Sequence, residues 1–141
     1  MIRTLARFER WYTTKCPPHR GKGPALRLLQ KLVRGRLFVA DLDEGFRLWV
    51  RTDDWVSSEM FFSRTWEQEN TLVLKAILAS THTFVDVGAN IGYYALLASR
   101  LLRQGSVFAY EPVPTTFEWL QRNIQLNRSR NIESFPVAVS D

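Results

Sequence analysis

The spacing of apolar and polar positions changes period twice along the chain. "MIRTLARFERWY" repeats as a helix does. At about 100° per residue, Arg3, Arg7 and Arg10 share one side, and Ile2, Leu5, Phe8 and Tyr12 share the other. "TTKCPPHRGKGP" cannot be regular, because Pro17, Pro18, Gly21, Gly23 and Pro24 break it. "ALRLLQKLV" reads as helix again. "RLFVADLDEGFRLWV" then alternates as a β-hairpin, two β-branched and apolar runs flanking Asp43-Glu44-Gly45, with Gly45 free to take positive φ. "DDWVSSEMFFSRTWEQENTLVLKAILAS" is predicted mainly helical. Leu72, Ala76 and Ala79 fall at i, i+4, i+7, and the helix is expected to end near Ser80-Thr81.

From Thr83 the pattern becomes strand, helix, strand, helix, strand with short links. "TFVDV", "SVFAY" and "ESFPVAVS" are the strands; "IGYYALLASRLLRQ" and "TTFEWLQRNIQLN" are the helices. Gly105 is expected as the glycine that ends the first helix, and Thr115 with Glu118 has capping-box spacing for the second. This order predicts an α/β fold with a doubly wound parallel sheet. Right-handed crossovers put both helices on one face. Pro136 cannot donate to a ladder and belongs on an edge strand, which a 3-2-1 order provides.

Composition agrees with a core-forming chain: 45% of residues are apolar and 13% aromatic. No run approaches the roughly 18 apolar residues of a membrane span, and the N-terminus has no secretion-signal pattern. A single cysteine, Cys16, excludes an intrachain disulfide and a multi-cysteine metal site. These features suit a cytoplasmic location. The net charge of +5 conceals an asymmetry. Residues 1–36 hold ten Lys and Arg against Glu9, hence +9, while residues 37–141 sum to −4.

A ligand of such a sheet lies beyond the carboxyl ends of its strands. That puts "DVGANIG", residues 86–92, in the binding crevice. Gly88 allows a sharp exit from the strand, Gly92 a close approach at the helix start, and Asn90 tolerates left-handed geometry. The spacing is not G-x-G-x-x-G. Asp86, just before the turn, suits a cationic amino group better than a phosphate. Glu111 ends the second strand, 19 residues past Gly92, where an acid can accept from both ribose hydroxyls. A nucleoside with an amino-acid tail satisfies all three features, and S-adenosylmethionine (SAM) is such a ligand. The plain alternative is that the glycines only end a strand and start a helix, with Glu111 a solvated strand end.

With "FVDVGANIGYYALLAS", "GSVFAYEPVPTTFEWLQRNIQLN" and the terminal "VAVSD", residues 83–141 resemble the FkbM-type family of SAM-dependent methyltransferases. "TWEQENTLVLKAIL" resembles that family's preceding helix, although Thr65 stands before Trp66 where a glycine is common. The resemblance implies a class I, Rossmann-like methyltransferase fold and methyl transfer, usually to a hydroxyl oxygen of a small molecule, glycan or lipid. It implies that Asp86, Gly88, Ala89, Asn90 and Gly92 line the methionine end and that Glu111 holds the ribose. Pro112 would shape the adenine side, with Ser140 or Asp141 near the adenine edge and Glu67 toward the methionine end. No residue reads as a catalytic base: His19 lies in the basic loop, and His82 lies at the strand end opposite the crevice. No metal site is expected.

Only the 3-2-1 half of the class I sheet is present, preceded by a basic helical segment and a β-hairpin. The expected divisions are residues 1–35, 36–80 and 81–141, the last being the N-terminal half of a methyltransferase domain. The first strand is expected to have an open side, and the chain to be a truncated or split methyltransferase lacking its C-terminal half. Three other readings stand beside the enzyme. One is an inactive half-domain. Another is an interaction module whose residues 1–36 make weak contact with an anionic membrane surface; no motif points specifically to nucleic acid. The third is a nicotinamide or flavin oxidoreductase, disfavoured by the glycine spacing and Asp86.

Overall fold

The computed structural model describes residues 8, 11, 12, 15, 17, 24, 28, 31–78, 82–102 and 104–140. The expectations for residues 1–30, including Cys16 and His19, therefore lie almost wholly outside the described residues, as does Asp141. Among the described residues, no helix is long and apolar enough to cross a membrane.

The hairpin forms as its pattern predicts. β1 (Leu37–Asp41) pairs antiparallel with β2 (Arg47–Arg51), Val39 opposite Trp49. Gly45 closes the turn at φ 84°, and Leu42 N–H donates to Phe46 O at 2.9 Å. The expected long helix is two. α1 (Trp55–Ser63) starts at Asp54, whose carboxylate accepts from Val56 N and Ser57 N. It stops where Arg64 turns left-handed at φ 67°. After Thr65–Glu67, α2 runs Gln68–Leu78. Apolar spacing alone did not show this break, because its stop signal is an arginine, not a glycine.

The parallel sheet has β3 (Thr83–Val87), β4 (Ser106–Tyr110) and β5 (Ile132–Phe135), ordered β3-β4-β5, so the 3-2-1 order holds. Asp86 stands opposite Ala109, and Ala109 opposite Ser134. α3 (Tyr93–Leu101) and α4 (Pro114–Asn127) cover one face, packing Ala95, Ala98, Leu102 and Leu120 against Val107 and Ala109. On the other face Val85 and Val87 are 54% and 60% exposed. Tyr110 and Phe135 stack there at 4.9 Å. Among the described residues β3 is an outer strand of this sheet. The hairpin does not pair with it. That hairpin is a separate sheet packed on α1 and α4.

Three local expectations are corrected. β5 ends at Phe135, so Pro136 follows the strand and does not sit in it. A proline lacks the N–H to extend the ladder, so the strand stops before it. Thr115 and Glu118 form no capping box. The helix starts one residue earlier, with Val113 as its cap and Pro114 in the first turn, and no side chain caps it. Gly105 is not the cap of α3. That helix ends at Leu101, and Leu102 N–H donates to Ala98 O. Gly105 is needed instead for close approach, because a Cβ there would collide with the His82 backbone carbonyl.

A second core lies on the far side of α3. Phe38, Leu48 and Val50 of the hairpin and Met60, Phe61 and Phe62 of α1 pack against Ile91, Tyr93, Leu96 and Leu97. α3 is thus covered on both sides, which explains its nearly continuous apolar sequence. Two asparagines join the layers. Asn123, fully buried, accepts from Trp49 N at 2.7 Å and donates to Ile91 O at 2.9 Å. Asn127, one turn on, accepts from Arg47 N at 2.9 Å and donates to Arg47 O at 2.6 Å. α4 therefore satisfies the outer backbone edge of β2 as a neighbouring strand would.

Candidate functional site

The loop between β3 and α3 is built around the end of β4. Gly88 at φ 78° and Asn90 at φ 51° take the left-handed conformations their residue types favour. Gly88 N and Ala89 N both donate to Tyr110 O at 2.9 Å. Nothing lies within 4 Å of a Cβ built on Gly88, so the turn is open above that residue. Gly92, at φ 97°, is constrained by packing: a Cβ there would stand 2.7 Å from Leu120 Cδ1 of α4. Its role is helix-to-helix contact.

Glu111 is 6% exposed, and both carboxylate oxygens are engaged. Oε2 accepts from Asn90 N and Oε1 from Val113 N, each at 2.9 Å. The side chain thereby ties the loop to the start of α4. Each oxygen keeps one more lone pair for a hydroxyl donor. Asp86 is 8% exposed, and its Oδ2 is buried with no hydrogen-bond partner. Burial pushes its pKa up to about 6, against a backbone hydrogen bond at Ala95 that lowers it; the nearby Glu111 charge adds a smaller upward push. The site therefore holds two buried carboxylates, one with an unsatisfied oxygen. Such an oxygen fits a cationic donor and repels an anion.

Glu67 is exposed, stands just before α2 at φ 40°, and reaches α3. Tyr94 Oη donates to its Oε2 at 2.6 Å, and Asn70 Nδ2 donates at 3.1 Å. These bonds lower the Glu67 pKa, while burial and the adjoining carboxylate raise that of Tyr94. Beside them Tyr93 Oη meets Trp66 N, Thr65 Oγ1 and Thr71 Oγ1. Sequence spacing did not find this hydroxyl network, because Thr65, Trp66 and Thr71 lie over twenty residues from Tyr93. The α1–α2 break is what brings them together. Pro112 and Ser140 are exposed, Ser140 beyond the end of β5. His82 is exposed at the start of β3, away from the loop. Among the described residues, no group of His, Cys, Asp or Glu is arranged to hold a metal ion.

The TRM5/TYW2 methyltransferase domain model matches residues 42–138, from the hairpin turn to the segment after β5. The chain belongs to the TRM5/TYW2 methyltransferase domain family. Its three-stranded sheet is a partial version of the class I methyltransferase fold. Methyltransferase 1 of Beauveria bassiana (strain ARSEF 2860) is 38% identical over 50 residues, 36% of this chain and 20% of that protein. Methyltransferase sdnD of Sordaria araneosa is 42% identical over 52 residues, 37% of this chain and 20% of that protein. The matched stretch thus spans about a fifth of those relatives' length. Among solved structures, M. jannaschii TYW2 in complex with AdoMet superposes with a TM-score of 0.54 at 22% identity, covering 72% of this chain and 43% of that one. That likeness establishes the fold. Within the TRM5/TYW2 domain, the loop, Asp86 and Glu111 stand at the carboxyl ends of the first two parallel strands.

Proposed function

We propose that this chain forms the SAM-binding portion of a methyltransferase whose acceptor is a hydroxyl oxygen on a small molecule, glycan or lipid. The observation that carries it is the orphaned, buried Asp86 Oδ2 beside an open glycine turn, with Glu111 at the next strand end. The residues fit SAM. Asp86 would take the methionine ammonium, and the open turn of Gly88, Ala89 and Asn90 would run beneath the ligand. Glu111 would accept from the ribose, and Pro112 and Ser140 would border the adenine. Asp141 would adjoin that border, and Gly92 would keep α3 close enough to hold the loop. When bound, SAM supplies an electrophilic methyl group on a sulfonium.

The chain's own work is positioning. Asp86 fixes the cationic end, Glu111 holds the loop by its two backbone bonds, and the Glu67–Tyr94 pair orders the polar surface at the start of α3. The FkbM-type resemblance of the "DVGANIG" and "YEPVP" motifs supports a hydroxyl acceptor. Residues 1–35, 36–80 and 81–141 form, on this reading, a basic lead, a hairpin-and-helix layer and the SAM-binding half, in a cytoplasmic protein.

Calorimetric titration of the whole chain with SAM, S-adenosylhomocysteine and NAD tests the ligand. Saturable binding of the first two, abolished in Asp86→Ala, is expected. Tighter binding of NAD would replace the proposal with a dinucleotide enzyme. Transfer of labelled methyl to hydroxyl compounds, with bulk tRNA in parallel, tests the acceptor; labelling of the tRNA alone would overturn the assignment to a small molecule, glycan or lipid.

A further inference from the structure

A polar cavity lies at the opposite end of α3 from the glycine loop. It has a volume of about 510 Å³ and opens between the hairpin turn, the last turn of α3 and the C-terminus of α4. Arg47, Arg100 and Arg128 line it, with Asp41 as the one carboxylate among the described lining residues. The cavity thus carries an excess of positive charge within a segment, residues 37–141, whose overall balance is negative. None of the three guanidinium groups is paired with a carboxylate among the described residues.

Each arginine is placed by backbone geometry. Arg47 is held at both its N–H and its C=O by Asn127, and its Nη2 donates to Leu126 O at 3.4 Å. Arg100 is the last basic residue of α3, seven residues beyond Tyr93 and so about 10 Å along the axis from the loop. Its guanidinium lies against Gly45: a Cβ there would stand 2.9 Å from Nη2, so the glycine makes room for it. Arg128 caps α4 in the left-handed conformation at φ 53°. The end of a helix ordinarily repels anions through its free carbonyls. Here Arg47 takes Leu126 O, and Arg128 N and Ser129 N take Gln125 O and Ile124 O, which removes much of that repulsion.

We propose that this cavity is a phosphate-binding site separate from the methyl-donor crevice. Guanidinium forks match the oxygens of a phosphate in geometry and charge, and three arginines lining one open cavity suit a phosphate ester more than a lone carboxylate. The shared chemistry is a phosphate group, carried by a phosphorylated small molecule or by an RNA strand.

The test is titration of the whole chain with inorganic phosphate, followed by ³¹P NMR line broadening, in wild type and in Arg100→Glu, Arg128→Glu and Arg122→Glu. Arg122 lies outside the cavity, over the Trp119 ring, and controls for net charge. Circular dichroism confirms that each variant is folded. The expected result is saturable binding in wild type and Arg122→Glu, weakened about tenfold or more in both cavity variants. No saturable binding in wild type overturns the proposal, as does equal weakening in all three variants. A competing RNA oligonucleotide then identifies the source. Displacement of phosphate by RNA assigns the site to a strand, and displacement only by a nucleoside monophosphate assigns it to a small molecule. SAM binding is measured alongside, and its failure leaves the phosphate result standing by itself.

Discussion

Replacing Asp86 with asparagine should remove a pH-dependent loss of stability and make the protein less able to bind its ligand. Burial raises the folded-state pKa of Asp86 from 3.8 to about 6. The raised value means the native state binds the proton more tightly than the unfolded chain does. Stability contributed by this group is therefore fully present below about pH 4 and is lost as pH rises to about 6. The shift corresponds to a penalty of about 3 kcal/mol at neutral pH. Of this, about 2 kcal/mol develops between pH 4.5 and 7.5 by the same linkage. Asparagine carries no charge to desolvate, but its amide meets the same unpartnered environment as Oδ2. That costs about 1–3 kcal/mol at any pH. The absolute difference between the proteins mixes the two effects; its change with pH isolates the charge.

Urea denaturation of wild type and Asp86→Asn at pH 4.5 and 7.5 should show the variant gaining about 2 kcal/mol relative to wild type at the higher pH. Saturating SAM should stabilise wild type alone, by about 2.7 kcal/mol at a hundredfold excess over Kd. A variant-to-wild-type difference that stays constant across pH would refute the buried-charge argument. Equal stabilisation of both proteins by SAM would refute the placement of the ligand's ammonium at Asp86.

Three further outcomes follow from the packing. Asn123→Ala leaves Trp49 N–H and Ile91 C=O without partners in a fully buried position, and should cost about 2–4 kcal/mol in urea denaturation; a loss below about 1 kcal/mol would show that water replaces the amide. Gly105→Ala places a methyl group against the His82 carbonyl, and its thermal midpoint should fall well below that of Gly35→Ala, where the added Cβ meets nothing and only the left-handed φ of 70° strains it. Val87→Lys changes a 60% exposed side chain on the bare sheet face; stability should stay within about 0.5 kcal/mol while light scattering shows less self-association, and a large destabilisation would mean the face is covered.

Sequence periodicity carried the parallel sheet, its order and the hairpin because each depends on neighbours close in the chain. Gly45, Gly88 and Asn90 were legible for the same reason: positive φ is a local demand that few residue types meet. What stayed hidden depends on residues far apart in sequence. Gly105 reads as a helix stop, yet its constraint comes from His82 on the neighbouring strand. Asn131 is not singled out by sequence spacing. In the fold its Nδ2 donates to Leu102 O at 2.8 Å, and to Ser99 O and Gly105 O, closing the carbonyl end of α3. Nothing in the helix pattern singles out Asn123 and Asn127, yet their i, i+4 spacing on α4 meets the i, i+2 spacing of Trp49 and Arg47 on β2.

The same distinction explains the candidate site. Glu111 stands where its spacing from Gly92 placed it, but spacing says nothing of the two backbone N–H groups that hold it. Those bonds give Glu111 a structural task whether or not a ribose is present, so its removal would disturb the loop and the start of α4 together. Asp86 differs. Its Oδ2 supports no other part of the fold, and burial makes its charge costly. A buried carboxylate whose charge weakens the fold and whose Oδ2 lacks a partner is the feature on which the proposed binding of a cationic group rests. Of the two carboxylates, Asp86 is therefore the sharper probe of ligand binding, and Glu111 the sharper probe of how the loop is held.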